Sequence, residues 1–124
     1  MLEPQQLSVI NAEKTIKNIT DRISSKTETI SDYSKTIQFY FTDANLAYRI
    51  KIVNGKVQAV DKSPSKLEAE VTVCCKVEVL QNILDNKLGA TRALITRKVT
   101  VEGPVLAIRE LRIKVLGPEH NATK

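Results

Sequence analysis

From Lys35 to Gly103 the chain carries four segments in which apolar and polar residues alternate, then one amphipathic helical segment, then a last alternating segment. Alternation with a period of two gives a strand one apolar face and one polar face. A sheet of such strands must bury its apolar face, and only helical segments are available to cover it. The chain is therefore expected to form one α+β domain over residues 1–124, a five-stranded, mainly antiparallel sheet covered on one face by helices. No acid–base–nucleophile set and no metal-ligand cluster interrupts the pattern. Function is to be sought in the apolar interior rather than in exposed chemistry.

The elements can be followed in order. Pro4 suits the first turn of a helix. Ala12, Ile16, Ile19 and Ile23 recur at intervals of three and four, which predicts an amphipathic helix over 4–24. The stretch 24–34 is polar, with Ile30 and Tyr33 marking one short turn. In the first strand Ile37, Phe39 and Phe41 face one way, and Thr36, Gln38 and Tyr40 the other. After the turn at Asp43-Ala44-Asn45, the second strand places Leu46, Tyr48, Ile50 and Ile52 inward and turns Arg49 and Lys51 to solvent. Asn54-Gly55 signals a two-residue hairpin, leading to a third strand from Lys56 to about Asp61. Beyond Ser63-Pro64-Ser65, the alternation of Leu67, Ala69, Val71 and Val73 predicts a fourth strand. Val77, Leu80, Ile83, Leu84 and Leu88 then follow helical spacing, and a second helical piece spans 90–95. Val99 and Val101 belong to a fifth strand that ends at Gly103. Pro104 opens a last helix, although Leu111 to Val115 alternates and fits an extended segment equally well. Gly117-Pro118 stops either form.

Composition narrows the function classes. Aromatic residues make up 4% of the 124 and Trp is absent, so branched aliphatics must carry the core. The net charge is +5, which reads first as a solvated basic surface. The densest basic group is Arg92, Arg97, Lys98, Arg109, Arg112 and Lys114. No aromatic alternates with it, which argues against a single-strand stacking platform. An anionic membrane surface is the other partner this charge suits. Cys74 and Cys75 are adjacent, a geometry that strains a disulfide, so a reducing, cytoplasmic setting is expected. The opening MLEPQQLSVI has no basic leader before an apolar run, and no segment approaches the ~20 apolar residues that span a bilayer. His120 is the one histidine, in a polar tail over 117–124. With no other histidine to serve a nucleophile and no glycine-rich phosphate loop, an enzyme is not expected, nor a cofactor or metal.

Several stretches resemble the sterol carrier protein family. Thr36-Ile37-Gln38-Phe39-Tyr40-Phe41-Thr42-Asp43 resembles that family's first strand and turn. Val53-Asn54-Gly55-Lys56-Val57 resembles its hairpin, and Glu70-Val71-Thr72-Val73 the strand before its helix. Leu84 through Gly103 follows the family pattern without a gap and closes in Val101-Glu102-Gly103. The likeness covers Lys35 to Leu116. Asn86 stands where the family often has glycine, and asparagine is the next best residue for a left-handed conformation. Leu94 replaces an aromatic, which leaves more room inside. Arg97 replaces a second glycine.

The resemblance implies a sheet and helices that enclose an apolar tunnel, with non-catalytic binding of a fatty acid, acyl thioester, sterol-like lipid or phospholipid. On that footing the tunnel lining would comprise Phe39, Phe41, Tyr48, Ile50, Ile52, Val71 and Val73 from the strands. Leu80, Leu84, Leu88, Leu94, Leu106 and Leu111 would form the facing wall. Arg92, Arg97 and Lys98 would meet a headgroup. The residue pattern alone reads first as a filled core, and only the resemblance brings a tunnel level with it; with a filled core the domain is an interaction or substrate-presenting module. Non-specific nucleic-acid binding is a third reading, with no sequence-specific contact expected. Family members often end in a peroxisomal address, which Asn121-Ala122-Thr123-Lys124 does not supply. A buried Tyr48 needs a hydroxyl partner, and a backbone carbonyl is the simpler expectation.

Overall fold

The structure, a computed structural model, describes residues 4–116. The expected polar tail, with Gly117-Pro118 and His120, lies outside the described residues. The elements run α1 (Pro4–Ser25), β1 (Lys35–Phe41), β2 (Leu46–Val53), β3 (Lys56–Ser63), β4 (Val71–Cys75), α2 (Val77–Leu84), α3 (Ala90–Ile95), β5 (Val99–Glu102) and α4 (Val105–Leu116). The strands form one five-stranded sheet in the order β3-β2-β1-β4-β5. Three neighbouring pairs are antiparallel, and β1 with β4 is parallel. The 111–115 segment is helical: Ala107 and Leu111, one turn apart, are both buried.

The inner face of the sheet is apolar, as the alternation requires. Ile37, Phe39, Phe41, Tyr48, Ile50, Ile52, Val71 and Val73 are all buried there. Helix α1 lays Ala12, Ile16, Ile19 and Ile23 into the same core. Full burial of one such aliphatic side chain contributes roughly 1.5–3 kcal/mol, so this layer holds α1 to the sheet. The hairpin behaves as its residues dictate. Asn54 and Gly55 have φ of 52° and 78°, as a primed turn demands. Gly55 also lies so close to the 26–33 turn that a Cβ there would meet the Ile30 carbonyl oxygen at 2.5 Å.

The outer face differs from expectation. The alternation of Leu67 and Ala69 suggests a longer fourth strand, but β4 begins only at Val71. Residues 64–70 instead cross the outer face, because the chain must pass from the β3 edge to the far side of β1. Gln38, expected to face solvent, is 0% exposed beneath this crossing. Its amide nitrogen donates to the Leu67 carbonyl at 2.9 Å, and its amide oxygen accepts from the Leu67 N–H at 2.6 Å. The side chain thus pairs with Leu67 as a neighbouring strand would. The same nitrogen donates to Thr72 Oγ1 at 2.9 Å. Arg49, also expected in solvent, is half-buried; it donates to the Glu68 carbonyl and pairs with Asp61 at 2.9 Å.

Two helix ends carry the left-handed residues that their sequence positions imply. Helix α2 stops at Leu84, short of Leu88, because Asn86 adopts φ 61°. Its N–H donates to Ile83 O and that of Lys87 to Asn82 O, the paired bonds of a Schellman cap. Arg97 repeats the device after α3 with φ 63°, its N–H on Leu94 O and that of Lys98 on Ala93 O. At the other end of α2, Asp43 Oδ1 accepts from the Val77 N–H at 3.1 Å, a cap supplied by the β1–β2 turn.

These arrangements make two predictions. Gln38→Leu leaves the Leu67 N–H and C=O without their partner, and should cost about 2–4 kcal/mol in urea unfolding. A change below the error of the measurement would contradict the strap. Arg97→Gly relieves a left-handed cost of roughly 1–2 kcal/mol against a glycine entropy penalty of roughly 0.5–1 kcal/mol. It should therefore raise stability by about 0.5–1 kcal/mol in the same assay, whereas a loss would show that the exposed Arg97 side chain stabilises the fold.

Candidate functional site

The inner face of the sheet is uneven in side-chain size. On β1 and β2 it carries Ile, Phe and Tyr. On β4 and β5 it carries Val71, Val73, Cys75, Val99 and Val101, which are smaller. Helices at ordinary packing distance cannot close down on both halves equally. A cavity of about 150 Å³ remains over the valine half, in communication with solvent. Its floor is Phe39, Val73, Val99 and Val101. Its walls are Ile19 and Ile23 of α1, Leu80, Ile83 and Leu84 of α2, and Ala90 and Leu94 of α3, with Val105, Ile108, Leu111 and Val115 of α4.

Polar side chains appear in this lining only as Arg22, Thr91, Arg109 and Arg112. Arg109 and Thr91 are exposed, and Arg22 and Arg112 are half-buried, so these groups sit where the cavity meets solvent. The arrangement is an apolar interior with a cationic edge contributed by α1 and α4. It can shield a hydrocarbon and meet an anionic group at its end. It offers no nucleophile beside a base.

A family model for the SCP-2 sterol transfer family matches residues 16–112. The chain belongs to that family. Among solved structures, an apo sterol carrier protein 2 from Yarrowia lipolytica is similar at 16% identity and TM-score 0.61, covering 95% of this chain and 98% of that one. A palmitated sterol carrier protein 2 like 2 from Aedes aegypti is similar at 19% identity and TM-score 0.57, covering 80% and 93%. The sec-alkylsulfatase Pisa1 from Pseudomonas sp. is similar at 22% identity and TM-score 0.64; the match covers 74% of this chain but only 14% of the sulfatase. At these identities the likeness is one of fold. A search of curated proteins found no significant match.

Within this SCP-2 domain the residues expected from sequence divide into groups. Phe39, Val73, Leu80, Leu84, Leu94 and Leu111 line the cavity. Phe41, Tyr48, Ile50, Ile52 and Val71 do not; they are buried in the filled part of the core, where large side chains leave no space. Leu88 follows the end of α2 and packs half-buried against the core outside the cavity. Leu106 is 72% exposed, because the helical form of α4 rotates it away from Leu111. Arg92, Arg97 and Lys98 are exposed and stand outside the lining. The cationic edge belongs instead to Arg22, Arg109 and Arg112, which only the packing of α1 beside α4 brings together. Val99 and Val101 were recognised as strand residues but not as floor. The signal that marks them is the change from Ile, Phe and Tyr in the first two strands to Val in the last two.

Three buried groups border this layer. Tyr33 donates from its hydroxyl to the Ala107 carbonyl at 2.6 Å, which pins the start of α4 to the 26–33 turn. Burial, with the charges of Glu110 and Glu70, holds that hydroxyl well above the ordinary phenol range. Tyr48 does not find the carbonyl expected for it. Its hydroxyl is buried with no hydrogen-bond partner among the described residues, and burial, then Glu13, pushes it up to about 12. Cys75 is pushed up to about 12 by burial, then by Cys74 and Asp43.

All three groups are neutral when protonated, and folding raises each above its unfolded value of 10.0 or 9.0. Their contribution to stability is therefore complete below about pH 9 and is lost as pH rises, through about 12 for Tyr48 and Cys75 and higher still for Tyr33. Urea midpoints should stay level up to about pH 8.5 and fall steeply above it. The Cys75→Ala variant should show a shallower fall. An alkaline slope identical in wild type and variant would remove Cys75 from this account of alkaline unfolding.

Proposed function

We propose that this SCP-2 domain is a non-catalytic lipid carrier that shields an acyl or sterol-like chain in the cavity over β4 and β5. The carrying observation is the cavity itself, apolar throughout and edged by arginines. The palmitated relative from Aedes aegypti supports an acyl ligand, such as a fatty acid or acyl thioester, over other lipids. An arginine edge suits a carboxylate or phosphate at the end of that chain. The free thiols of Cys74 and Cys75 fit a reducing, cytoplasmic setting.

Size sets a condition on this reading. Ligand pockets run to about 300–1,000 Å³, and the cavity here is about half the lower bound. A long chain must widen it into a tunnel, which on this reading means displacing α4. It is held at one end by the Tyr33 hydroxyl, and at the other by Lys114, 3.9 Å from Asp32. Each buried methylene contributes about 0.8 kcal/mol, so about ten of them outweigh several kcal/mol of lost ligand freedom. Discrimination between chain lengths is then weak.

Titration with a fluorescent long-chain fatty acid tests the proposal. Saturable one-to-one binding in the micromolar range or tighter is expected. Leu94→Trp, which fills the cavity from α3, should weaken it at least about tenfold, a difference of about 1.4 kcal/mol. Absence of saturable binding, or equal binding by the filled variant, would refute the cavity as the site.

A second reading has its own observation. The similarity to one segment of a much larger alkylsulfatase suits a domain that presents an apolar substrate to an enzyme. The same cavity would serve, and ligand exchange would then quicken when the enzyme is added.

A further inference from the structure

Charge and exposed apolar surface are both concentrated in one part of the chain. Residues 90–116 hold six basic side chains, Arg92, Arg97, Lys98, Arg109, Arg112 and Lys114, against two acidic ones, Glu102 and Glu110. This one segment therefore accounts for a surplus of four in a chain whose net charge is +5. Of the thirteen cations elsewhere, Lys17, Arg49, Lys62 and Lys66 each have a carboxylate partner, and within the segment Lys114 pairs with Glu110 and Asp32. Arg92, Arg97, Lys98 and Arg109 have no ion-pair partner among the described residues.

The same segment exposes large apolar side chains. Ile95 is 75% exposed and Leu106 72%, with Val105 and Ile113 partly so. Their positions relate directly to the cavity. Ile95 follows the cavity-lining Leu94 and lies one helical turn from the lining residue Thr91. Leu106, Arg109 and Ile113 form an outward stripe along α4, and Arg109 at its centre also lines the cavity. Exposed apolar groups interleaved with unpaired cations, around the mouth of an apolar cavity, match the two layers of a bilayer surface: acyl region and anionic headgroup.

We infer that the face formed by α3, the start of β5 and α4 docks onto an anionic lipid bilayer, with the cavity mouth turned toward the membrane. Ile95 and Leu106 enter the interface, while Arg92, Arg97 and Lys98 meet the phosphates. This inference rests on the lipid-carrier reading, for it gives the cavity its route of loading. A ligand entering from the docked face need not cross water. The seating also places α4, one wall of the cavity, in the interface itself.

Co-flotation with vesicles of phosphatidylcholine containing about 30 mol% phosphatidylserine tests the docking. Pure phosphatidylcholine vesicles, a short duplex DNA and the soluble fluorescent fatty acid serve as parallel arms. The wild-type protein should float with the anionic vesicles and not with the neutral ones, and raised salt should release it. The double variant Ile95→Ser/Leu106→Ser should lose vesicle binding at least about tenfold and keep fatty-acid binding unchanged. The triple variant Arg92→Glu/Arg97→Glu/Lys98→Glu should behave likewise. Leu7→Ser, on the exposed start of α1, should alter neither. Fatty-acid binding without flotation would overturn the docking and leave the carrier reading intact. Flotation that the variants preserve, or that Leu7→Ser abolishes, would place the membrane face elsewhere and overturn the assignment. Binding to the duplex instead of vesicles would assign the surface to nucleic acid. A wild-type dimer in solution that the double variant dissolves would assign it to a second copy. Either result overturns the inference. Vesicle binding with no fatty-acid binding would support the docking and refute the carrier.

Discussion

A sheet whose inner face is apolar must be covered, and the cover can be no closer than its largest side chains permit. In this protein that constraint acts unevenly. Phe41, Tyr48 and the isoleucines of β1 and β2 fill the space over their own half of the sheet. The valines of β4 and β5 do not fill the space beneath α3 and α4. The resulting void is the difference between two packing depths under one helical layer. Close packing elsewhere in the core makes the void persist, because the surrounding side chains are already fixed.

The position of that void depends on the chain's crossing of the outer face. Residues 64–70 carry β4 past β2 and β1 to its parallel place beside β1, and Gln38 holds the crossing by pairing with Leu67. Lys66 adds a contact at the far side, bonding Glu102 at 2.7 Å above the Tyr40 ring. Without this strap the valine strands would have no fixed partner. With it, β5 becomes the sheet edge, and α3 and α4 flank it on either side in sequence. The cavity and its cationic rim therefore draw on α1 as well as on the last third of the chain, which also carries the exposed apolar stripe.

Much of the fold could be read from residue order. Alternation placed β1, β2 and β5 within a residue or two, Asn54-Gly55 placed the hairpin, and helical spacing placed α1 and α3. The family pattern drew attention to Asn86 and Arg97, both of which take left-handed backbone. What alternation could not reveal was partnership. Leu67 and Ala69 alternate as a strand does, yet the partner of Leu67 is a glutamine side chain from 29 residues away, beyond any local pattern. The helix or strand ambiguity of 111–115 was settled by burial of Ala107 and Leu111 on one face, a tertiary fact. The site was less legible for the same reason. The inward-facing strand residues were identified as a class and Leu106 of α4 was not, but which of the inward ones border empty space depends on the volumes packed opposite them. Arg22 and Arg109 are 87 positions apart, and no spacing rule unites them.

The central claim is that the void over the valine strands receives a hydrocarbon chain. Intermolecular NOEs from a ¹³C-labelled fatty acid test it most directly. Chain methylenes should show contacts to the methyl groups of Val73, Leu94, Val101 and Leu111. Contacts confined to the exposed methyls of Ile95, Leu106 and Ile113, with the interior methyls silent, would contradict it.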